Sequence, residues 1–320
     1  MVLRKKKVKG NEYYYLELSY FVIDGSKKFT KYLGSKKPAG KELGQITEKF
    51  RGEILEKLSG KKYSAESISK DDAIKTLLFR DAFMKKFESM SPAGKKRFEV
   101  DRTILFTLTT LTTEDVDVSL KDVEEAYRKG LNLTLREQIS KNMLNAVDSI
   151  KQKKELSKSY LLGLHKTIMS SFETKSPGKL RQKQVYLHKR DEENPLSIEI
   201  AYRPPEASRI PKLLQEFIKW HNKSKLNPIE KAALTHYKLY AIHPFLDGNK
   251  RICRLLFNKT LLDEGFPLVN ISEKREKYFK ALIDSVENKK PGLLVKFSLK
   301  EYLKQVKEFT RNSDRKKRKT

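Results

Sequence analysis

The chain has 320 residues, 38% of them hydrophobic, and a formal net charge of +28. A chain of this length and apolar content can bury a core, which excludes a wholly disordered protein. The single cysteine excludes an intrachain disulfide and a four-cysteine metal site. No apolar run reaches the roughly eighteen residues of a membrane span or follows the basic N-terminus as in a signal peptide, so we expect a cytoplasmic protein without membrane contact.

Basic residues are concentrated at both ends of the chain, in residues 4–9 and 311–319. Such runs are most often solvated, but they also release counterions when they contact phosphate backbones. The composition therefore predicts a basic tail over residues 311–320 and leaves nucleic acid open as a partner.

The N-terminal segment predicts a small β module. Residues 12–33 are rich in aromatic and β-branched side chains, interrupted by Asp24-Gly25, a dipeptide that favours a two-residue hairpin turn. The pattern predicts strands near residues 12–23 and 27–33.

Helical patterns follow this hairpin. They run from about Lys41 to Phe87 after a breaker at residues 34–40. A second breaker, Ser91-Pro92-Ala93-Gly94, predicts a domain boundary near residue 95.

The remainder of the chain is mostly helical by its apolar spacing. Helices are predicted at residues 119–129, 134–152, 157–172, 210–223, 228–241, 250–264, 273–287 and 293–309. Residues 184–187 and 198–202 instead predict two strands, bridged by the polar loop 189–194. The predicted fold is mainly α: a hairpin-plus-helix module at residues 1–95, a helical domain at 96–310 and the basic tail.

One loop between two predicted helices carries the candidate chemistry. Asn227-Pro228-Ile229-Glu230 has the residue types of a helix start, and the helix that it begins leads to the loop at residues 243–248. A second helix starts near Asn249 and stops at Gly265. A Gly-Asn pair that enters a helix N-terminus presents backbone N–H groups and the positive end of the helix dipole, which suits a phosphate.

The side chains of this loop fit nucleotide chemistry. Lys250, Arg251 and Arg254 place positive charge at a helix start, where it is unfavourable unless an anion lies between them. Asp247 could hold a magnesium ion, which prefers one or two carboxylates together with phosphate oxygens. His243 is the nearby group suited to accepting a proton at neutral pH.

The segment His243-Pro-Phe-Leu-Asp-Gly-Asn-Lys-Arg-Ile-Cys-Arg254 resembles the motif of the Fic (Fido) family, H-x-F-x-[DE]-G-N-[GK]-R-x-x-R, at every specified position. His236-Tyr237 and Gly265-Phe266-Pro267 also resemble the family, so the resemblance covers roughly residues 100–310. It implies a Fic-type helical bundle with a β-hairpin flap over the active site. It also implies AMP transfer from ATP, with magnesium, to a hydroxyl of a target protein.

The resemblance implies roles for the motif residues. His243 would be the general base, and Phe245 would anchor the loop in the core. Asp247 would bind magnesium, and the anion hole and polyphosphate contacts would come from Gly248, Asn249, Lys250, Arg251 and Arg254.

Two further nucleotide contacts are implied outside the motif. The first strand of the flap is similar to Gln184-Val185-Tyr186-Leu187-His188, which would help to position the nucleotide and pair with an extended target segment. Tyr278-Phe279 resembles the aromatic pair near the adenine, although Val286 stands where a polar residue is expected.

Thr110-Leu-Thr-Thr-Glu114-Asp115 resembles the inhibitory helix of the family, [ST]-x-x-x-E-[GN], with Asp115 in place of Gly or Asn. Glu114 would pair with Arg254 and occupy the place that the γ-phosphate needs. The alternative is that Glu114 only begins a helix.

Two alternative functions stay open. Lys250 is shared with the death-on-curing branch, which is similar to kinases because ATP lies reversed, but Asp247-Gly248 and the greater chain length favour AMP transfer here. The aromatic, basic N-terminal hairpin and the basic ends would also suit a nucleic-acid-binding regulator. The sequence leaves a homodimer open.

Overall fold

The computed structural model describes residues 1–22, 25–190 and 198–317. The chain forms two compact units. The first unit contains Met1–Ser89, Lys225–Asn227 and the chain from Leu303 onward, and the second contains Met90–Ser224 and Pro228–Tyr302. The predicted division at residues 95 and 310 stays a prediction.

The first unit begins with a three-stranded antiparallel sheet in the order β1-β2-β3, formed by Val2–Val8, Asn11–Val22 and Gly25–Gly34. Alternation along β2 buries Leu16, Leu18 and Tyr20 on one face. Two helices follow, α1 at Gly40–Ser59 and α2 at Lys70–Glu88.

The predicted hairpin is present as β2 and β3, and β1 adds a third strand that was not predicted. The basic run that was predicted as a solvated end forms β1, where Lys5 donates a hydrogen bond to Glu12 at 2.6 Å. An apolar pattern could not reveal this strand because most of its residues are basic. Ion pairs with Glu12 and Glu17 on β2 compensate their charge. Asp24, in the predicted turn, lies outside the described residues.

The second unit is helical. Its helices are α3 Pro92–Thr112, α4 Leu120–Arg128, α5 Leu135–Lys151, α6 Lys158–Met169, α7 Ile210–Lys223, α8 Pro228–Ile242, α9 Asn249–Asp263, α10 Arg275–Glu287 and the start of α11, Gly292–Lys317. Helix α9 is buried along most of its length, with Ile252, Leu255 and Leu256 in the core. The mainly α class is confirmed.

Helix α3 was not among the ranges predicted from apolar spacing. The predicted breaker at its start is a helix cap: Ser91 Oγ accepts a hydrogen bond from the Gly94 N–H at 3.1 Å, and Pro92 lies in the first turn. Serine and proline therefore begin this helix, directly after the end of the first unit at Ser89.

A two-stranded antiparallel hairpin, β4 Leu187–Arg190 and β5 Ile198–Tyr202, precedes α7. The first strand starts three residues later than predicted, because the chain opposite residues 184–186 contains Pro204 and Pro205, which lack the N–H of a ladder. Residues 191–194 of the predicted loop lie outside the described residues.

The predicted basic tail is helical through Lys317 as the end of α11, and residues 318–320 lie outside the described part of the chain. Within the described ranges, no helix combines the length and apolar character that a membrane crossing needs.

Candidate active site

The motif loop connects α8 to α9 and is closed by its own asparagine. Gly248 caps α9 with a φ of +76°, a left-handed conformation that glycine adopts without strain. Asn249 Oδ1 accepts from the Phe245 N–H at 3.0 Å, and its Nδ2 donates to the Phe245 carbonyl at 2.8 Å. The Asn249 side chain therefore holds the loop, so only its main chain can face an anion.

His165 of α6 supports the loop from beneath. Its ring stacks on the fully buried Phe245 with centroids 3.7 Å apart. Nδ1 accepts from the Gly178 N–H at 2.9 Å, so Nε2 carries the proton and donates to the Asp247 carbonyl at 3.0 Å. Burial lowers the pKa of His165 to about 4, although the hydrogen bond to the Asp247 carbonyl by itself would raise this pKa.

Arg181 fastens the other side of the loop. Its Nε donates to the His243 carbonyl at 2.7 Å and its main-chain N–H donates to the Pro244 carbonyl at 2.9 Å. Nη1 and Nη2 donate to the carbonyls of Lys183 and Pro205, which flank the β4–β5 hairpin. This buried guanidinium thus joins the base of the hairpin to the motif loop.

Sequence reasoning missed both supporting residues. His165 left one signal, a lone histidine among the apolar residues Leu161, Leu164 and Ile168 of α6. Arg181 left none, because its partners are carbonyl groups, which every residue type presents.

His243 lies at the start of the loop in a left-handed conformation, with φ of +50°. Its Nδ1 is 3.3 Å from the Tyr240 carbonyl, an acceptor that requires the proton on Nδ1 and leaves the lone pair on Nε2. Burial lowers the pKa of His243 to about 4. The imidazole is therefore neutral at pH 7 and can accept a proton at Nε2.

Asp247 presents one carboxylate at the surface of the site. Its Oδ1 accepts from the Gly248 N–H at 2.5 Å and from Arg251 Nη2 at 3.2 Å, while the side chain stays 40% exposed. Burial alone would raise the pKa of Asp247, but Arg251 and the Gly248 N–H hold it below its usual value.

The described residues contain no cluster of three His, Cys, Asp or Glu side chains that could hold a metal alone. One exposed carboxylate fits the donor set of magnesium, which takes its other ligands from phosphate and water.

Two arginines of α9 have hydrogen-bonding capacity that the protein does not use. Arg251 and Arg254 are buried, yet Nε and Nη1 of Arg251 and Nε of Arg254 have no hydrogen-bond partner in the described part of the chain. Buried donors without acceptors are costly, and charged donors more so. Their arrangement suits an anion bound beside the start of α9.

Glu114, just beyond α3, neutralises part of this charge. One carboxylate oxygen lies 2.8 Å from Arg254 Nη2 and the other 3.1 Å from Lys250 Nζ. Burial would raise the pKa of Glu114, but Arg254 and Lys250 together lower it. The pairing of Glu114 with Arg254 is present as expected, and Glu114 follows a helix instead of beginning one.

The departure at residue 115 has a structural explanation. Asp115 adopts a φ of +57°, in the left-handed region that favours Gly and Asn, and that Asp also tolerates. Its carboxylate lies 2.6 Å from Arg275 Nη2. Aspartate is therefore compatible with the backbone that follows Glu114.

The aromatic pair on α10 divides into one buried and one accessible ring. Tyr278 is fully buried, and its hydroxyl lies 3.0 Å from His236 Nε2 and accepts from Arg254 Nη1 at 3.2 Å. Phe279 is half-buried, with Lys250 Nζ 4.5 Å from its ring centroid. Tyr278 thus contacts the site through Arg254, and its contact with a nucleotide stays a prediction. Val286 is buried.

The flap residues lie at the start of the β4–β5 hairpin. Leu187 and His188 belong to β4, whereas Val185 and Tyr186 precede it. Tyr186 is 45% exposed, and Arg203 lies over its ring at 5.8 Å. Lys189 binds Glu287 of α10 at 2.6 Å, which links the hairpin to the helix that carries Phe279.

The site is a helix–loop–helix with a histidine at its entry, a glycine at φ +76° and buried arginines at the helix start. Residues 155–261, which contain it, match the sequence model of the Fic/DOC family. This part of the chain is therefore similar to that family, as the motif predicted.

Curated relatives with similar sequence share one description. The protein adenylyltransferase Fic of Drosophila erecta is 37% identical over 135 residues, which is 41% of this chain and 25% of that protein. The protein of the same description from Drosophila ananassae is 36% identical over 135 residues, with the same coverage. The similarity thus spans about a quarter of the length of these relatives.

Solved structures with the same fold cover more of the chain. A Fic domain containing signaling protein from Bacteroides thetaiotaomicron has a TM-score of 0.61 at 20% identity, covering 74% of this chain and 97% of that chain. A Fic family protein from Desulfovibrio desulfuricans has a TM-score of 0.63 at 19% identity, covering 78% of each. These likenesses confirm the predicted Fic-type fold.

Proposed function

We propose that this protein transfers AMP from ATP to a hydroxyl side chain of a target protein. The proposal rests mainly on the buried, incompletely bonded guanidinium groups of Arg251 and Arg254, which lie in the same motif as the neutral base His243. The similarity to proteins described as adenylyltransferases supports it.

His243 acts as the general base. Its Nε2 accepts the proton of the target hydroxyl while the hydroxyl oxygen forms a bond to the α-phosphorus of ATP. The bond from that phosphorus to the bridging oxygen breaks, and pyrophosphate leaves. Arg181 and Lys250 disfavour an imidazolium in the resting chain, and the negative triphosphate offsets this repulsion.

The start of α9 holds the triphosphate. Arg251 and Arg254 bring unused donors, Lys250 adds a third cation, and the main chain at Gly248 and Asn249 lies at the positive end of the helix dipole. Asp247 would hold magnesium, which would supply positive charge beside the leaving pyrophosphate.

The hairpin positions both substrates. Strands β4 and β5 pair only with each other among the described residues, so each has an edge that an extended target segment can join. Val185, Tyr186, Leu187 and His188 remain the proposed nucleotide contacts from this side, and Phe279 is the accessible ring on the other.

Glu114 keeps the resting enzyme inactive in this proposal. It occupies Arg254 and Lys250 together, so the γ-phosphate meets a carboxylate where it needs cations. ATP then binds in a pose that does not align its α-phosphorus with the attacking hydroxyl.

Labelled ATP tests the reaction. We expect Glu114→Gly protein with α-labelled ATP to label itself or a partner in lysate, and γ-labelled ATP to leave no label. Label from the γ position alone would indicate a kinase, the alternative that Lys250 keeps open. Label from neither would contradict both activities.

The base is tested in the same background. Glu114→Gly/His243→Ala should lose labelling and keep its affinity for ATP within a few-fold, because the base acts on the chemical step and does not hold phosphate. ATP affinity and a thermal melt show that the variant is folded. Labelling that persists at the rate of Glu114→Gly rules out His243 as the base.

A further inference from the structure

The outer face of the N-terminal sheet carries an aromatic and basic surface that the proposed activity does not use. Residues of β2 with odd numbers lie on the face opposite the buried Leu16, Leu18 and Tyr20. The surface consists of Arg4, Lys6, Tyr13, Tyr15, Glu17, Phe21, Lys28 and Tyr32, which share this face by the register of the three strands.

Three tyrosine rings of this surface form a cluster. Tyr15 lies directly between Arg4 on β1 and Tyr32 on β3. The ring of Tyr32 is 5.3 Å from Tyr15 and 6.2 Å from Tyr13, and it is 55% exposed. Phe21 lies further along β2 on the same face and is 84% exposed, so it adds a second accessible aromatic position.

Cations border the tyrosine cluster. Lys6 Nζ lies 5.2 Å from the Tyr15 ring centroid, and Arg4 and Lys28 are largely exposed. Glu17 is the acidic residue on this face and contacts both Arg4 and Lys28, so the face keeps a net positive charge. The surrounding N-terminal segment is also positively charged, since the first 40 residues contain ten Lys or Arg and three Asp or Glu.

We propose that this sheet face binds single-stranded nucleic acid. Bases stack on exposed aromatic side chains with little regard to sequence, and bordering lysines and arginines contact the phosphates. The positive charge complements a polyanion, and the exposed rings favour unpaired bases over duplex, whose bases are stacked on each other. This inference does not depend on AMP transfer.

Binding of a fluorescein-labelled oligo-dT of about 20 nucleotides to the full chain, measured by anisotropy at several salt concentrations, tests the proposal. We expect Phe21→Ala/Tyr32→Ala to weaken binding about tenfold or more with an unchanged salt slope. Lys6→Gln/Lys28→Gln should reduce that slope by about 1 to 1.5. Circular dichroism melts show that each variant keeps its fold.

Two adjacent lysines provide the matched control. Lys7 and Lys27 lie one residue from the tested pair on the same strands, and they pair with Glu12 and Tyr20 on the opposite side of the sheet. Lys7→Gln/Lys27→Gln removes the same charge and should bind almost as wild type does.

Four outcomes would overturn the proposal. The first two are that the oligonucleotide does not bind, or that both lysine double variants lose the same affinity for it. The third is that a duplex of the same length binds with equal affinity. The fourth is that the variants of this face lose binding to phosphatidylserine vesicles and keep binding to the oligonucleotide.

Discussion

Each carboxylate oxygen of Glu114 contacts a different cation, Arg254 through one and Lys250 through the other. This double contact extends the role expected of Glu114, which involved Arg254 alone. The strength of the proposed inhibition therefore depends on two ion pairs at one carboxylate.

Removing Glu114 tests the inhibition. Glu114→Gly should raise self-labelling from α-labelled ATP about ten- to a hundredfold, because a charge-assisted hydrogen bond contributes about 1.5 to 3 kcal/mol. Asp115→Gly is the matched control, since it removes the neighbouring carboxylate and suits the φ of +57°. Equal rates for Glu114→Gly and wild type, or an equal rise in the control, would contradict the proposed role.

Lys250 supplies a test of the second ion pair. Lys250→Met keeps an unbranched side chain and removes the ammonium group that contacts Glu114 and lies over the Phe279 ring. We expect labelling to rise a few-fold in the chain that has Glu114 and not to rise in the Glu114→Gly background. The same change in both backgrounds would show that Lys250 does not act through Glu114.

At the scale of elements, the motif loop is fixed from three directions. Asn249 closes it from α9, His165 supports it from α6, and Arg181 ties it to the hairpin. All three contacts end on main-chain carbonyls, at Phe245, Asp247 and His243. The position of His243 is therefore set by elements that lie outside the motif.

The entry to α9 has no room for a side chain at Gly248. A Cβ there would lie 2.8 Å from Met169 Sδ and 3.3 Å from His165 Nε2, in a backbone with φ of +76°. Gly248→Ala should lower the free energy of unfolding by about 2 to 4 kcal/mol, from left-handed strain and overpacking together.

Gly265→Ala separates these two causes. Gly265 has a φ of +73°, but a Cβ at this position would have no neighbouring atom within 4 Å, so only the strain of about 1 to 2 kcal/mol applies. Urea unfolding followed by Trp220 fluorescence gives both values. Equal decreases in the free energy of unfolding of the two variants would mean that Met169 moves aside without an energetic penalty.

At the scale of the whole molecule, four of the five histidines are buried, and all four belong to the second unit. Burial lowers the pKa of His165 and His243 to about 4 and the pKa of His221 and His236 to about 3. The unfolded chain binds these protons below about pH 6.5, whereas the folded chain binds them only near pH 3 to 4. Acid therefore favours unfolding across this interval.

We expect the free energy of unfolding of the second unit to be highest above about pH 7 and to fall as the pH drops from 6.5 toward 4. Each buried histidine should remove about 1.5 to 2 kcal/mol between pH 7 and pH 5. Urea unfolding at the two pH values, followed by the single tryptophan Trp220, measures the loss. His221→Asn should show a smaller difference between them, and an equal difference would contradict the assignment.

The residues of the candidate site and most of the helices could be predicted from the amino-acid sequence. The residues from His243 to Arg254 lie within twelve consecutive positions, so a local pattern places the proposed base, the helix start and both arginines. Helices α4 to α10 follow from the spacing of apolar residues, which local geometry converts into one buried face.

The contacts that hold this motif and neutralise its charge became visible only in the folded chain. His165, Arg181 and the pairing of Lys250 with Glu114 join residues that are distant in the chain, and the partners of the first two are main-chain carbonyls. Strand β1 likewise depends on pairing of its lysines with glutamates of β2. Such contacts have no signature in a local pattern, because hydrogen bonds and ion pairs depend on proximity that the folded chain alone creates.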